Sequence, residues 1–324
     1  MMNKKALEMS FVWIFAIAVG AIIVIFAIYF ATNLVRTGYN EINTKTAREL
    51  VNILDPLQTT LEDGKTQAIE LIDDTRIYNS CENIGDFGYN KIEISEKNKF
   101  GDDKWTNPGG DIRTESQYLF SQEIVEGKRI YFFIKSMKIP FKTADIMMMY
   151  SENYCFVNPP ENMKSEIEGL TNENNSNIVV MGNLIDCGKD SIKVCFISNK
   201  ECDVIVSGNC NDINCENVYD SGTITKDGES VTYINSLIYA GIFSSKDNYE
   251  CNIKRIMKRT NKLTNLYIEK SKFVSGKGCG TNLQQELSLL SEASSKLDNS
   301  RDLSVIKILS DDINEKNMGV CRLF

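Results

Sequence analysis

"FVWIFAIAVGAIIVIFAIYFA", Phe11–Ala31, decides how the rest of the chain is read. No charged residue occurs from Phe11 to Val35. As a helix, Phe11–Ala31 is about 31 Å long at ~1.5 Å per residue, the thickness of a hydrocarbon core of ~30 Å. Trp13 sits near one end and Tyr29 near the other, where aromatic rings favour a membrane–water interface. A removed export signal has an apolar region of only ~7–15 residues and a small-residue cleavage site. "YFATNLVR" (29–36) offers no such site, so the expectation is a retained transmembrane helix over 11–35.

Flanking charge sets the orientation. Lys4 and Lys5 precede the span, whereas Arg36, Lys45 and Arg48 beyond it mix with Glu41 and Glu49. The positive bias predicts residues 1–10 in the cytoplasm and the bulk of a single-pass protein outside the cell membrane. The cysteines point the same way. All ten lie beyond the span, at Cys81, Cys155, Cys187, Cys195, Cys202, Cys210, Cys215, Cys251, Cys279 and Cys321. An even count on the outer side suits a disulfide framework, with Cys195–Cys202 the best local pair because they flank a plausible turn. Zinc is disfavoured, since no C-x-x-C pair and no histidine exist.

Once Lys4, Lys5 and Glu8 are set aside, the external part carries 34 basic and 43 acidic residues. An acidic surface is a poor partner for nucleic acid. The helix is expected to continue as a stalk-like segment over 36–55, with Ala47, Leu50, Val51 and Leu54 at helical spacing and Pro56 closing it. A further helix is read over 61–74, "LEDGKTQAIELIDD". "KIEIS" (91–95) reads as a strand, and hairpins are read over 117–140, turning at Glu126–Gly127, over 190–208, and over 221–234, turning at Asp227–Gly228. "KTADIMMMYSE" (142–152) reads as a short helix and "CFVNPPENM" (155–163) as a loop. From Ser236 the pattern is helical again, with two last helices over 282–298 and 302–317. The order predicts an α+β, disulfide-rich extracytoplasmic domain over 56–324, with a mainly antiparallel sheet and C-terminal helices. The polar run 168–177 reads as an exposed loop or an internal boundary and holds the one glycosylation sequon, at Asn174.

Catalytic chemistry is hard to find. Without histidine there is no Ser–His or Cys–His nucleophile pair. Gly64–Lys65–Thr66 resembles the end of a phosphate-binding loop, but the position of its first glycine is Thr59. The reading is therefore a non-enzyme without cofactor or metal; a carboxylate-based ectoenzyme would need acids brought together from distant sequence. Asp102, Asp103, Trp105 and Asp111 form a candidate ligand loop for sugar or calcium, against a solvated turn with one packed indole. Lys254, Arg255, Lys258, Arg259 and Lys262 are either a binding stripe for an anionic polymer or acidic partner, or the solvated face of a helix. Met147–Met149 mark either an adaptable contact or core filling. Ala16, Gly20, Ala27 and Ala31 share a helix face, so the span could pack closely against itself or another envelope protein in the lipid bilayer.

"KKALEMSFVWIFAI" (4–17) resembles type IV pilin-like N-termini, including archaeal ones. That resemblance covers about 35 residues. It implies cleavage after the basic residues, a strand-rich head outside, and Glu8 as the glutamate that sets assembly register. The runs 136–163 and 249–259 and the terminal "CRLF" resemble uncharacterised single-pass archaeal surface proteins, which implies membrane attachment without an assigned activity. The expected function is thus a membrane-anchored extracytoplasmic binding or structural protein of the cell envelope, with a pilin-like assembly subunit and an ectoenzyme as the alternatives.

Overall fold

The computed structural model describes residues 11–60, 63–97, 104–115, 117–171, 177–196, 201–208, 219–280, 282–317 and 321–324. Glu8, Asp102, Asp103, Asn174, Cys210 and Cys215 lie outside them. One helix, α1 (Phe11–Thr60), comes first. Strands β1 (Thr66–Glu82), β2 (Tyr89–Glu96), β3 (Ile112–Thr114), β4 (Tyr118–Phe120), β5 (Ile124–Lys138), β6 (Lys142–Tyr150) and β7 (Asn153–Val157) follow. Helix α2 (Glu161–Thr171) and strands β8 (Ile178–Met181), β9 (Ser191–Cys195), β10 (Val204–Gly208), β11 (Ser221–Lys226) and β12 (Glu229–Ile234) come next. The chain closes with α3 (Leu237–Phe243), α4 (Lys246–Ser275), α5 (Gln284–Lys296) and α6 (Leu303–Lys316). The class is α+β.

At 50 residues, α1 is about 75 Å long. Its first half is apolar, exposed, and long enough to cross a membrane. Its second half buries Asn43, Ala47, Leu50 and Leu54 against the first sheet. The stalk-like segment therefore docks on the head. Pro56 does not end the helix, which runs on to Thr60. Gly64, at φ 79°, then turns the chain into β1 and hydrogen-bonds through its N–H to the Ile134 carbonyl (2.9 Å).

The first sheet runs β3-β2-β1-β5-β6-β4 and is antiparallel except for β4 beside β6. Its β4–β6 half is buried on both faces. Phe132, Ile134, Met147 and Met149 face α1, while Tyr131, Phe133, Met148 and Tyr150 face the other core. That two-sided burial explains one misreading. "KTADIMMMYSE" has no polar–apolar alternation because both faces are dry, and it is β6 instead of a helix. The methionines are core. Residues 63–74 of the segment read as a helix over 61–74 are not one either: β1 begins at Thr66, and its register against β5 shifts between Glu70 and Thr75, so "LIDD" is a bulged strand. Nor does a hairpin turn at Glu126–Gly127. Strand β5 passes straight through, and the turn comes after Lys138.

The second sheet runs β12-β11-β10-β9-β7-β8. The hairpin expected over 221–234 forms, with Asp227 (φ 52°) and Gly228 (φ 78°) in left-handed conformations between the paired Lys226 and Glu229. The hairpin over 190–208 does not, because β9 and β10 are parallel. Strands β7–β8 and β7–β9 are parallel too, and the expected loop at 155–163 starts as strand β7. Helices α3 and α4 pack between the sheets, and the larger core cluster draws on both of them.

Among the described residues, four disulfides fix this arrangement: Cys81–Cys251 from β1 to α4, Cys155–Cys187, the expected Cys195–Cys202, and Cys279–Cys321 at the C-terminus.

Candidate functional site

The stripe on α4 divides between core and surface. Arg255 is fully buried, which corrects its reading as part of a binding or solvated face. Its Nε donates to the Phe87 carbonyl (2.9 Å), Nη1 to Asn252 Oδ1 (2.7 Å) and Asn90 Oδ1, and Nη2 to the Gln117 (3.0 Å), Glu115 (3.3 Å) and Gly88 (3.4 Å) carbonyls. Tyr118 lies under its guanidinium at 4.9 Å. Desolvation pulls the Arg255 pKa down to about 10. Lys258 donates to the Asn83 (3.1 Å) and Gly85 (2.9 Å) carbonyls, and Lys262 pairs with Asp86 (2.6 Å). Three cations of the stripe thus clamp the connection between β1 and β2. Lys254 stands 3.8 Å from Asp298.

Arg259 alone turns to a different task. It lines a cleft of about 1020 Å³ between the end of α1, strands β4–β6 and α4. Asp55 and Gln58 enter from α1, Asp63 from the turn into β1, and Tyr118 from β4. Lys138 ends β5, and Lys142, Thr143 and Asp145 open β6. The acids are tethered. Asp55 accepts from Gln117 Nε2 (2.7 Å), Asp63 accepts from the Ser136 N–H (2.7 Å), and Asp145 pairs with Lys142 (2.8 Å). Among the described residues, neither Arg259 nor Lys138 has a carboxylate partner, and the buried Arg259 Nε has no hydrogen-bond acceptor. Tyr118 is nearly fully buried, and burial raises its phenol pKa against the opposing pull of Arg259 and Arg255. The cleft therefore offers two cations without carboxylate partners beside carboxylate acceptors, a set suited to a ligand with both anionic groups and hydroxyls.

Of the expected ligand loop, Asp102 and Asp103 lie outside the described residues, and the two described members, Trp105 and Asp111, have separate partners. Trp105 is half-buried beside α1, with the Arg76 guanidinium stacked 4.3 Å from its ring centre. Asp111 is committed elsewhere, 3.7 Å from Arg113. Among the described residues no three acidic or cysteine side chains are gathered as for a metal. Ala16, Gly20, Ala27 and Ala31 lie on the side of α1 opposite Asn43, Ala47, Leu50 and Leu54, at ~100° per residue, and the head leaves them largely uncovered.

Sequence reasoning reached only Arg259 among the cleft residues. The others come from separate segments, so no local motif could mark them. In the comparisons, no family model, no curated protein and no solved structure matches the chain.

Proposed function

We propose that the chain is a membrane-anchored, extracytoplasmic binding protein of the cell envelope, with its ligand held in the Arg259–Lys138 cleft. The observation that carries this reading is α1 itself: one unbroken helix joins an exposed apolar half to a half packed under a disulfide-tied head. The apolar half is the anchor, the N-terminus is cytoplasmic, and the head faces an oxidising space. The ligand class is a polar, anionic molecule, such as a segment of acidic polysaccharide. Its acid groups meet Arg259 and Lys138, and its hydroxyls meet Asp55, Asp63 and Thr143. The role is binding without catalysis.

A pilin-like assembly subunit is the second reading, favoured by the same shared helix and by the uncovered Ala16–Gly20–Ala27–Ala31 face. Purification of the full chain from membranes in mild detergent, with mass spectrometry of the intact protein and its companions, separates the two. An uncut chain free of multimers supports the anchor. An N-terminus starting after Ala6, with multimers of the chain, supports the pilin-like subunit. Titration with an oligouronate tests the cleft: binding by the parent but not by Arg259→Gln is expected, and no binding by the parent sinks the ligand class.

A further inference from the structure

A second crevice, of about 410 Å³, lies where the head meets the end of the apolar half of α1. Its walls are Ala31, Val35, Arg36 and Tyr39 of α1, faced by Trp105 and Asn107. The loop carrying Trp105 is fastened to the helix further along. Asn43 Nδ2 donates to Thr106 Oγ1 and to the Asn107 carbonyl (both 2.9 Å), and the Gly110 N–H donates to Thr44 Oγ1 (2.6 Å). Gly109 sits so close that a Cβ there would meet the Thr44 nitrogen at 2.5 Å. Short of that fastening, the crevice runs along α1 from Tyr39 back to Ala31, about 12 Å at ~1.5 Å per residue.

Its depth relative to a bilayer follows from the same rise. The strongly apolar run ends at Ala31, and the headgroup layer beyond a hydrocarbon core is roughly 5–8 Å thick on each side. Residues 32–36 span about that distance, so Arg36, the first charge after the span, falls at phosphate level. Among the described residues Arg36 has no ion-pair partner. Trp105 and Tyr39, on the head side of Arg36, are residue types that favour a membrane–water interface, with an apolar body and a polar tip. An apolar wall continuous with the span, topped by an unpaired guanidinium, has the polarity gradient of a lipid from acyl chain to phosphate.

We propose that this crevice seats the phosphate and upper acyl region of an outer-leaflet phospholipid, fixing the height and tilt of the head on the membrane. The proposal rests on the membrane-anchored reading. The chain has only two tryptophans, Trp13 in the span and Trp105 in the crevice, so each can be watched alone.

The full chain is reconstituted into phosphatidylcholine–phosphatidylglycerol vesicles carrying a nitroxide either at the headgroup or deep in the acyl chain. In Trp105→Phe, Trp13 fluorescence reports the anchor. In Trp13→Phe, Trp105 fluorescence reports the crevice and is expected to be quenched more strongly by the headgroup nitroxide than by the deep one. If Trp13 is quenched by lipid nitroxides and Trp105 by neither, the crevice proposal falls and the anchor stands. If neither tryptophan is quenched, the anchor reading falls and takes the proposal with it. Arg36→Gln adds a readout that proximity alone would not move. It should release retained phosphatidylglycerol in native mass spectrometry, about fivefold for the loss of one cation at a membrane surface. Unchanged lipid retention would show that Trp105 merely lies near the bilayer.

Discussion

Replacing Arg255 by methionine should unfold this protein more readily than any other single change on α4. The side chain is fully buried and donates to four backbone carbonyls and two asparagine oxygens. Methionine fills much of the volume but donates nothing. Asn90 Oδ1 keeps a second donor in the Leu119 N–H, so it is not orphaned. The Phe87, Gly88 and Gln117 carbonyls and Asn252 Oδ1 lose their Arg255 donors. A buried polar group left without a partner costs about 1–3 kcal/mol, and partial relaxation brings the total to about 3–5 kcal/mol. Gly88 limits that relaxation: it adopts φ 60°, and a Cβ there would clash with the Glu82 carbonyl and meet Arg255 Cγ at 3.0 Å, so the 87–88 turn is packed between the end of β1 and this side chain. The assay is thermal and urea unfolding of the full chain in detergent, where about 4 kcal/mol corresponds to a Tm fall of roughly 10 °C. Lys254→Ala, one position away, removes a pairing with the 88 % exposed Asp298 and should cost under about 0.5 kcal/mol. Equal effects of the two changes, or an Arg255→Met loss below about 1 kcal/mol, would refute the assignment of Arg255 to the core.

Gly109→Ala should destabilise by about 1–3 kcal/mol, because the new methyl meets the α1 backbone at Thr44; urea unfolding measures it, and a silent change would mean the loop is not fastened there. Removing the Cys81–Cys251 bridge with paired alanines should cost up to about 5 kcal/mol, since it closes a loop of 170 residues; an unchanged urea midpoint would contradict the bond. Burial lowers the Lys226 pKa to about 8 from 10.5 while its ammonium donates to the Ile242 and Ser244 carbonyls. Between those values the unfolded chain binds more protons, so Lys226 adds stability as pH rises from 8 toward 10.5, and this gain is lost as pH falls through 8. The slope is at most about 1.4 kcal/mol per pH unit, read as the difference between the parent and Lys226→Met from pH 7 to 9.5. A flat difference would place Lys226 in solvent.

Much of the architecture was legible where one physical signal dominated. The apolar run of α1, the Asp227–Gly228 turn and the C-terminal helices each carry a local pattern, and Cys195–Cys202 is close enough in sequence to pair by turn geometry. Legibility failed where tertiary burial erased the pattern. Met147–Met149 feed two cores from one strand, so β6 lost its alternation, and β9 and β10 run parallel although only a short segment joins them. The stripe on α4 failed for the opposite reason. Charge suggested a surface, yet the β1–β2 connection supplies enough carbonyls to bury one arginine and hold two lysines. The cleft could not have been read in advance, because Asp55, Tyr118, Lys138 and Arg259 meet only once both faces of the first sheet are covered.

In the proposed function, Phe11–Ala31 stays attached to an oxidised external head. Intact-mass analysis of the protein isolated from membranes, alkylated without reductant, tests it most directly. The expected result is a membrane-bound chain that retains Phe11–Ala31, with Cys81, Cys155, Cys187, Cys195, Cys202, Cys251, Cys279 and Cys321 all protected from alkylation. A mature chain that begins beyond Ala31, or alkylation of those eight thiols, would contradict it.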